Sequence, residues 1–161
     1  MKKQQPIEIF MPPNILKAKV GGTAVGLDMS AVKRAETALA NLKTEFADWI
    51  AADVQSLAEC RDSFAADPSP DRQGDLYRAS HDLRGQARTF EYPLVERVAA
   101  SLCRLLDEPR ATGALSLVDA HVGAIRVIVR EKIMDRTNAM ASTLASELEA
   151  RVSEFLAALP A

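Results

Sequence analysis

From Val32 to Phe64 the residues Val32, Leu39, Leu42, Phe46, Trp49, Ile50, Val54, Leu57 and Phe64 recur three, four and seven positions apart. That spacing draws one apolar stripe down an α-helix and does not fit a strand, whose period is two. Pro68 and Pro70 end the stripe after Asp67, because proline lacks a backbone donor and disfavours helix in the residue before it. Asp28 supplies an N-cap side chain at the other end. A helix over the whole stripe would be roughly 55–60 Å long, twice a small domain's width. A short leading helix followed by a bundle helix is therefore expected.

The same period continues between punctuating residues. Ser69-Pro70 opens a second helix with Leu76, Leu83, Ala87 and Phe90 on one face. Pro93 starts a third, with Leu94, Val98, Leu102, Leu105 and Leu106 inward, and it ends before Pro109. Gly113 precedes a fourth carrying Leu115, Val118, Val122, Ile125, Val129 and Ile133. A last one, from about Asn138, repeats Leu144, Leu148, Val152, Phe155 and Leu159. Strand alternation appears nowhere, and short connections make successive helices antiparallel. The expected class is all-α, an antiparallel up-and-down four-helix bundle with additional terminal helices. Residues 28–161 form that domain. Residues 1–27, broken by Pro6, Pro12, Pro13, Gly21, Gly22 and Gly26, form a partly irregular extension. Its Ile7, Phe10 and Ile15 imply partial docking on the domain.

With 161 residues the chain is long enough for one domain with a real core. Twenty Lys+Arg against 22 Asp+Glu leave a net charge of -2, so no basic field argues for nucleic acid or a membrane surface. No apolar run is expected to reach the ~20 residues needed to span a bilayer, which points to a cytoplasmic protein. Cys60 and Cys103 lie far apart in apolar patterns and read as buried, reduced thiols. There is no P-loop, dinucleotide fingerprint or zinc motif.

The run Ser80-His81-Asp82-Leu83-Arg84-Gly85-Gln86-Ala87 lies within the second helix. At ~100° per residue from Leu76, His81 falls at about 140°, Gly85 near 180°, Arg88 near 120° and Arg84 near 80°. The histidine thus points away from the core, in a locally basic patch. A surface histidine beside arginines is ordinary. Gly85 adds weight, because an exposed glycine inside a helix costs about 1 kcal/mol relative to alanine and clears space beside the ring. Arg84 adds more, since a guanidinium there favours an added anion. His121, flanking an apolar stripe without a basic residue three positions on, reads as a structural, hydrogen-bonded histidine. Trp49 and Phe46 read as core, and Glu147, Glu149, Arg151 and Glu154 as a solvated face.

The run from Ser80 to Phe90 resembles the signature of histidine-containing phosphotransfer (HPt) domains: histidine, any residue, an aliphatic, a basic residue and glycine, then small residues and a later apolar one. Leu94 to Leu106 resembles the family's next helix. Two departures stand out. Arg84 takes the place of the usual lysine, exchanging a point donor for a planar fork, and Glu91 follows Phe90 where many members have glycine.

The resemblance implies a phosphoryl carrier rather than an autonomous kinase. His81 would accept the phosphoryl group from a receiver-domain aspartate and pass it to another receiver, as neutral imidazole nitrogens are nucleophilic near physiological pH. Arg84 and Arg88 would offset the transferring charge, and Gly85 would admit the receiver's loops. The partners implied are receiver domains of response regulators and hybrid histidine kinases. The chain would bring no cofactor of its own, the Mg²⁺ coming from the receiver, and would act as a monomer. Tyr77, Leu94 and Val95 are candidates for an apolar docking collar, with core the stronger reading of each. A non-transferring adaptor and a kinase dimerisation module are the competing classes.

Overall fold

The computed structural model describes residues 29–159, with Lys43 and Thr44 described by their backbone alone. Expectations for the first 28 residues, including the Asp28 cap and the docking of the 1–27 extension, lie outside the described residues. Among the described residues every regular element is helical. The helices are α1 (Met29–Ala66), α2 (Pro70–Thr89), α3 (Pro93–Leu106), α4 (Leu115–Arg130) and α5 (Ala139–Ala158), with a 3₁₀ turn at Ala111–Ala114 before α4.

The expected break in the first helix does not occur: α1 runs unbroken from Met29 to Ala66. Contacts instead divide the chain within that helix, between Ala38 and Leu39. Only the later turns bury the stripe. Ile50, Val54, Leu57 and Phe64 are buried, whereas Leu39 and Leu42 are exposed. Trp49, expected in the core, is 49 % exposed. It lies at the rim of an aromatic cluster, 5.6 Å from Phe46 and 6.3 Å from Phe90 between ring centroids.

Helix α3 is the central element, packed against α2, α4 and α5, and α4 also meets α5. Its Leu94, Val95, Val98, Ala99, Leu102, Leu105 and Leu106 are all buried. Such burial contributes roughly 1.5–3 kcal/mol per large aliphatic side chain. Helix α1 joins through Phe46, whose ring centroid is 5.0 Å from that of Phe90 on α2, and through Arg61, whose Nε donates to Asp119 of α4 at 2.7 Å. Glu149, expected in solvent, accepts two bonds of 2.6 Å from Arg97 and so ties α5 to α3. Arg151 does lie on a solvated face, paired with Glu147 and Glu154.

The stretch Ala111–Arg130 is long and apolar enough to cross a membrane by composition, with a mean hydropathy of 1.4. This corrects the expectation that no run reaches that length. In the fold its Val118, Val122, Ile125 and Ile128 face the core, an arrangement compatible with a soluble protein.

Two helix ends close by the same left-handed device. After α2, Tyr92 N–H bonds Ala87 C=O at 2.8 Å and Glu91 N–H bonds Arg88 C=O at 3.4 Å. After α4, Ile133 N–H bonds Ile128 C=O at 2.9 Å and Lys132 N–H bonds Val129 C=O at 3.1 Å. Both are Schellman motifs, whose pivot residue favours glycine. Here the pivots are Glu91 (φ 62°) and Lys132 (φ 51°). The departure noted after Phe90 therefore leaves the turn intact and stores strain in it. Glu91→Gly is expected to stabilise the protein by about 0.5–1 kcal/mol. A urea midpoint shifted upwards at unchanged slope would show it; an unchanged or lower midpoint would contradict it.

Candidate functional site around His81

Helix α2 carries its apolar residues Leu76, Leu83 and Ala87 inward with the polar Gln73 and Ser80. Ser80 is accommodated because its hydroxyl donates to Leu76 C=O at 2.7 Å. Gln73 Nε2 donates to Leu106 C=O and Glu108 C=O, both at 2.8 Å. One buried amide thereby satisfies the carbonyl end of α3 and pins the start of α2 to it. The sequence reading missed this residue; a glutamine three positions before Leu76 on the apolar side was the signal.

With that face buried, His81 is turned out, its side chain 56 % exposed. Its ring stacks on that of Tyr77 one turn earlier, with centroids 6.2 Å apart and planes 22° apart. Nδ1 lies 3.7 Å from Asp82 Oδ1, an electrostatic contact beyond hydrogen-bonding reach. Gly85, one turn later, is exposed, and a Cβ built there meets nothing within 4 Å. Among the described residues the glycine therefore answers no packing demand.

Arg84 and Arg88 are both exposed. The charge of Arg84 opposes the upward push that burial gives the Cys103 thiol on α3. Arg88 is two turns from His81, about 10.5 Å along the axis, and lines a shallow groove with Glu91, Pro93, Glu96 and Met134. His81, Arg84 and Gly85 thus form one patch, and Arg88 stands at its far edge. Of the collar candidates, Leu94 and Val95 are core residues, while Tyr77 is half-buried beneath the imidazole. Among the described residues no group of three or more His, Cys, Asp or Glu side chains is placed to hold a metal ion.

His121 is the contrasting histidine and is fully buried. Its Nδ1 donates to Leu117 C=O at 2.7 Å, which leaves Nε2 to accept from the Ser101 hydroxyl at 3.0 Å. Both nitrogens are used, and burial holds the ring's pKa below its ordinary value against the pull of the Leu117 carbonyl. The structural role expected for it is what the fold gives. The unfolded chain takes up a proton near pH 6.5 while the folded ring does not, so stability is full above that pH and falls below it. His121→Gln is expected to flatten this fall. Equal acid sensitivity of both proteins in urea titrations between pH 7 and 5 would contradict it.

The cysteines are both free, Cys103 buried and Cys60 only half-buried. Burial pushes both thiols up, away from the reactive thiolate. Asp53, which the sequence reading passed over, is a carboxylate inside the apolar stripe of α1. Burial, and then the charge of Asp82, raise its pKa. No protein-family model, curated protein or solved structure matches the chain.

Proposed function

We propose that the chain is a histidine phosphotransfer protein that accepts a phosphoryl group on His81 from a receiver-domain aspartate and hands it to another receiver. The observation that carries this reading is the exposed imidazole one turn from Gly85, an exposed helical glycine that no neighbour among the described residues requires. We also infer that α1 to α4 make an antiparallel four-helix bundle, with α5 added against α3 and α4.

In the proposed step a neutral ring nitrogen attacks the phosphorus of the receiver's acyl phosphate. The P–O bond breaks as the P–N bond forms, and the aspartate leaves with the electron pair as a carboxylate. Nδ1 is turned towards Asp82, which leaves Nε2 for the incoming phosphorus. Tyr77 limits the ring's rotation by stacking on it. Arg84 offsets the charge on the transferring group, with Arg88 near enough to the edge to meet the receiver. The Mg²⁺ belongs to the receiver in this reading, and the partners are receiver domains of response regulators and hybrid kinases. A monomer in the cytoplasm serves this role.

The test is incubation with a receiver phosphorylated on its aspartate. Acid-labile, base-stable label on this chain is the expected result. Tight binding without label would overturn the carrier reading and favour a non-transferring adaptor.

A further inference from the structure

Asp53 occupies a position that an apolar residue would ordinarily fill. It continues the spacing Phe46, Ile50, Leu57, Phe64 on the core-facing side of α1. Its Oδ2 is buried and has no hydrogen-bond partner among the described residues. Buried polar atoms are nearly always paired, and exceptions gather where function outweighs stability.

The neighbour across the helix seam gives the exception a context. Helices α1 and α2 are joined by residues 67–69 alone, and the rings of Phe46 and Phe90 meet at 5.0 Å at the far end of the pair. The two helices therefore run antiparallel, each residue along α1 matched by one step back along α2 from Phe90. That register sets Asp53 level with Leu83 and next to Asp82, whose charge bears on it. The Asp82 carboxylate oxygen stands 3.7 Å from His81 Nδ1. Asp82 itself is 74 % exposed and free to turn elsewhere.

We propose that Asp53 is a positioning residue for the His81 site: its half-buried carboxylate repels that of Asp82 and keeps it turned outwards, against Nδ1 of the imidazole. This rests on the phosphotransfer reading for its purpose, not for its geometry. A carboxylate at Nδ1 stabilises a proton there. In phosphohistidine that proton lets the P–N bond break with its electron pair passing to the ring nitrogen, while the phosphoryl group moves to an incoming carboxylate or water oxygen. The Asp53–Asp82 pair thus shortens the life of the phosphoryl group on His81 and favours its onward passage, opposing the stabilisation from Arg84.

The test uses potassium phosphoramidate to phosphorylate the whole protein without a partner. Loss of phosphate from His81 is then followed by mass spectrometry, and the Nδ1–H tautomer fraction of the unmodified ring by ¹⁵N NMR. Asp82→Asn is expected to slow the loss several-fold and lower that fraction. Asp53→Asn should do the same by about 2- to 3-fold, as expected for a screened charge acting through another, and Asp53→Glu should restore it. In the Asp82→Asn background Asp53→Asn should change nothing further. Wild-type lifetime and tautomer in Asp53→Asn, or an undiminished effect in that background, would overturn the proposal. If receivers fail to label His81 while these responses hold, the phosphotransfer reading falls and the positioning role stands.

Discussion

His81→Ala is expected to reduce phosphoryl transfer from a phosphorylated receiver to below detection while leaving the fold intact. The chemistry is all-or-none, because among the described residues no other side chain near the patch offers a nucleophilic nitrogen. His121 has both ring nitrogens engaged and is fully buried. The structural cost is small, since His81 is 56 % exposed and its named neighbours are the Tyr77 ring and the exposed Asp82. Surface substitutions of this kind stay within about 0.5 kcal/mol. Wild type and variant should therefore share a thermal midpoint and differ in acid-labile label. Label retained on His81→Ala would remove the assignment altogether, and a collapsed midpoint would show that the ring is structural.

The second large effect is expected at Gly85, where stability and transfer should move in opposite directions. An added side chain meets nothing within 4 Å, and a non-glycine residue restricts the unfolded chain. Gly85→Ala should accordingly stabilise the protein by about 1 kcal/mol. Gly85→Gln should keep most of that gain, yet its side chain would stand in the space where a receiver must approach the imidazole. A misplacement of about 1 Å in such a site costs on the order of 10²-fold in rate. The expected readings are a raised urea midpoint and transfer lowered by about that factor. A stabilised Gly85→Gln protein that transfers at the wild-type rate would mean the glycine has no docking role, and the patch would revert to a solvated face.

Much of this architecture could be read along the chain because proline, glycine and apolar spacing act locally. Pro70 and Pro93 stand at the first position of α2 and α3 as expected, and Asn138 caps α5 by accepting from Ala141 N–H at 3.0 Å. The outward turn of His81 followed from the helical period alone, once Leu76, Leu83 and Ala87 had defined the inner face. What the period could not supply was a partner for each face. Trp49 and Leu39 share the stripe of Ile50 and Leu57 yet remain exposed, because burial depends on whether another helix lies opposite. Glu149 looked like its solvated neighbours until α3 brought Arg97 to it.

The candidate site divides along the same line. Residue identity and a 100° step were enough to give helices along the described residues, a histidine on an outer helical face, and an arginine and a glycine one turn away. Only the packing of distant segments decided that Gln73 would close the end of α3, that Glu91 would hold a left-handed turn, and that Asp53 Oδ2 would be buried with no hydrogen-bond partner among the described residues. Each of these depends on which atoms of distant segments meet in a low-dielectric seam. There a missing hydrogen bond or a second charge carries a cost that no local pattern records.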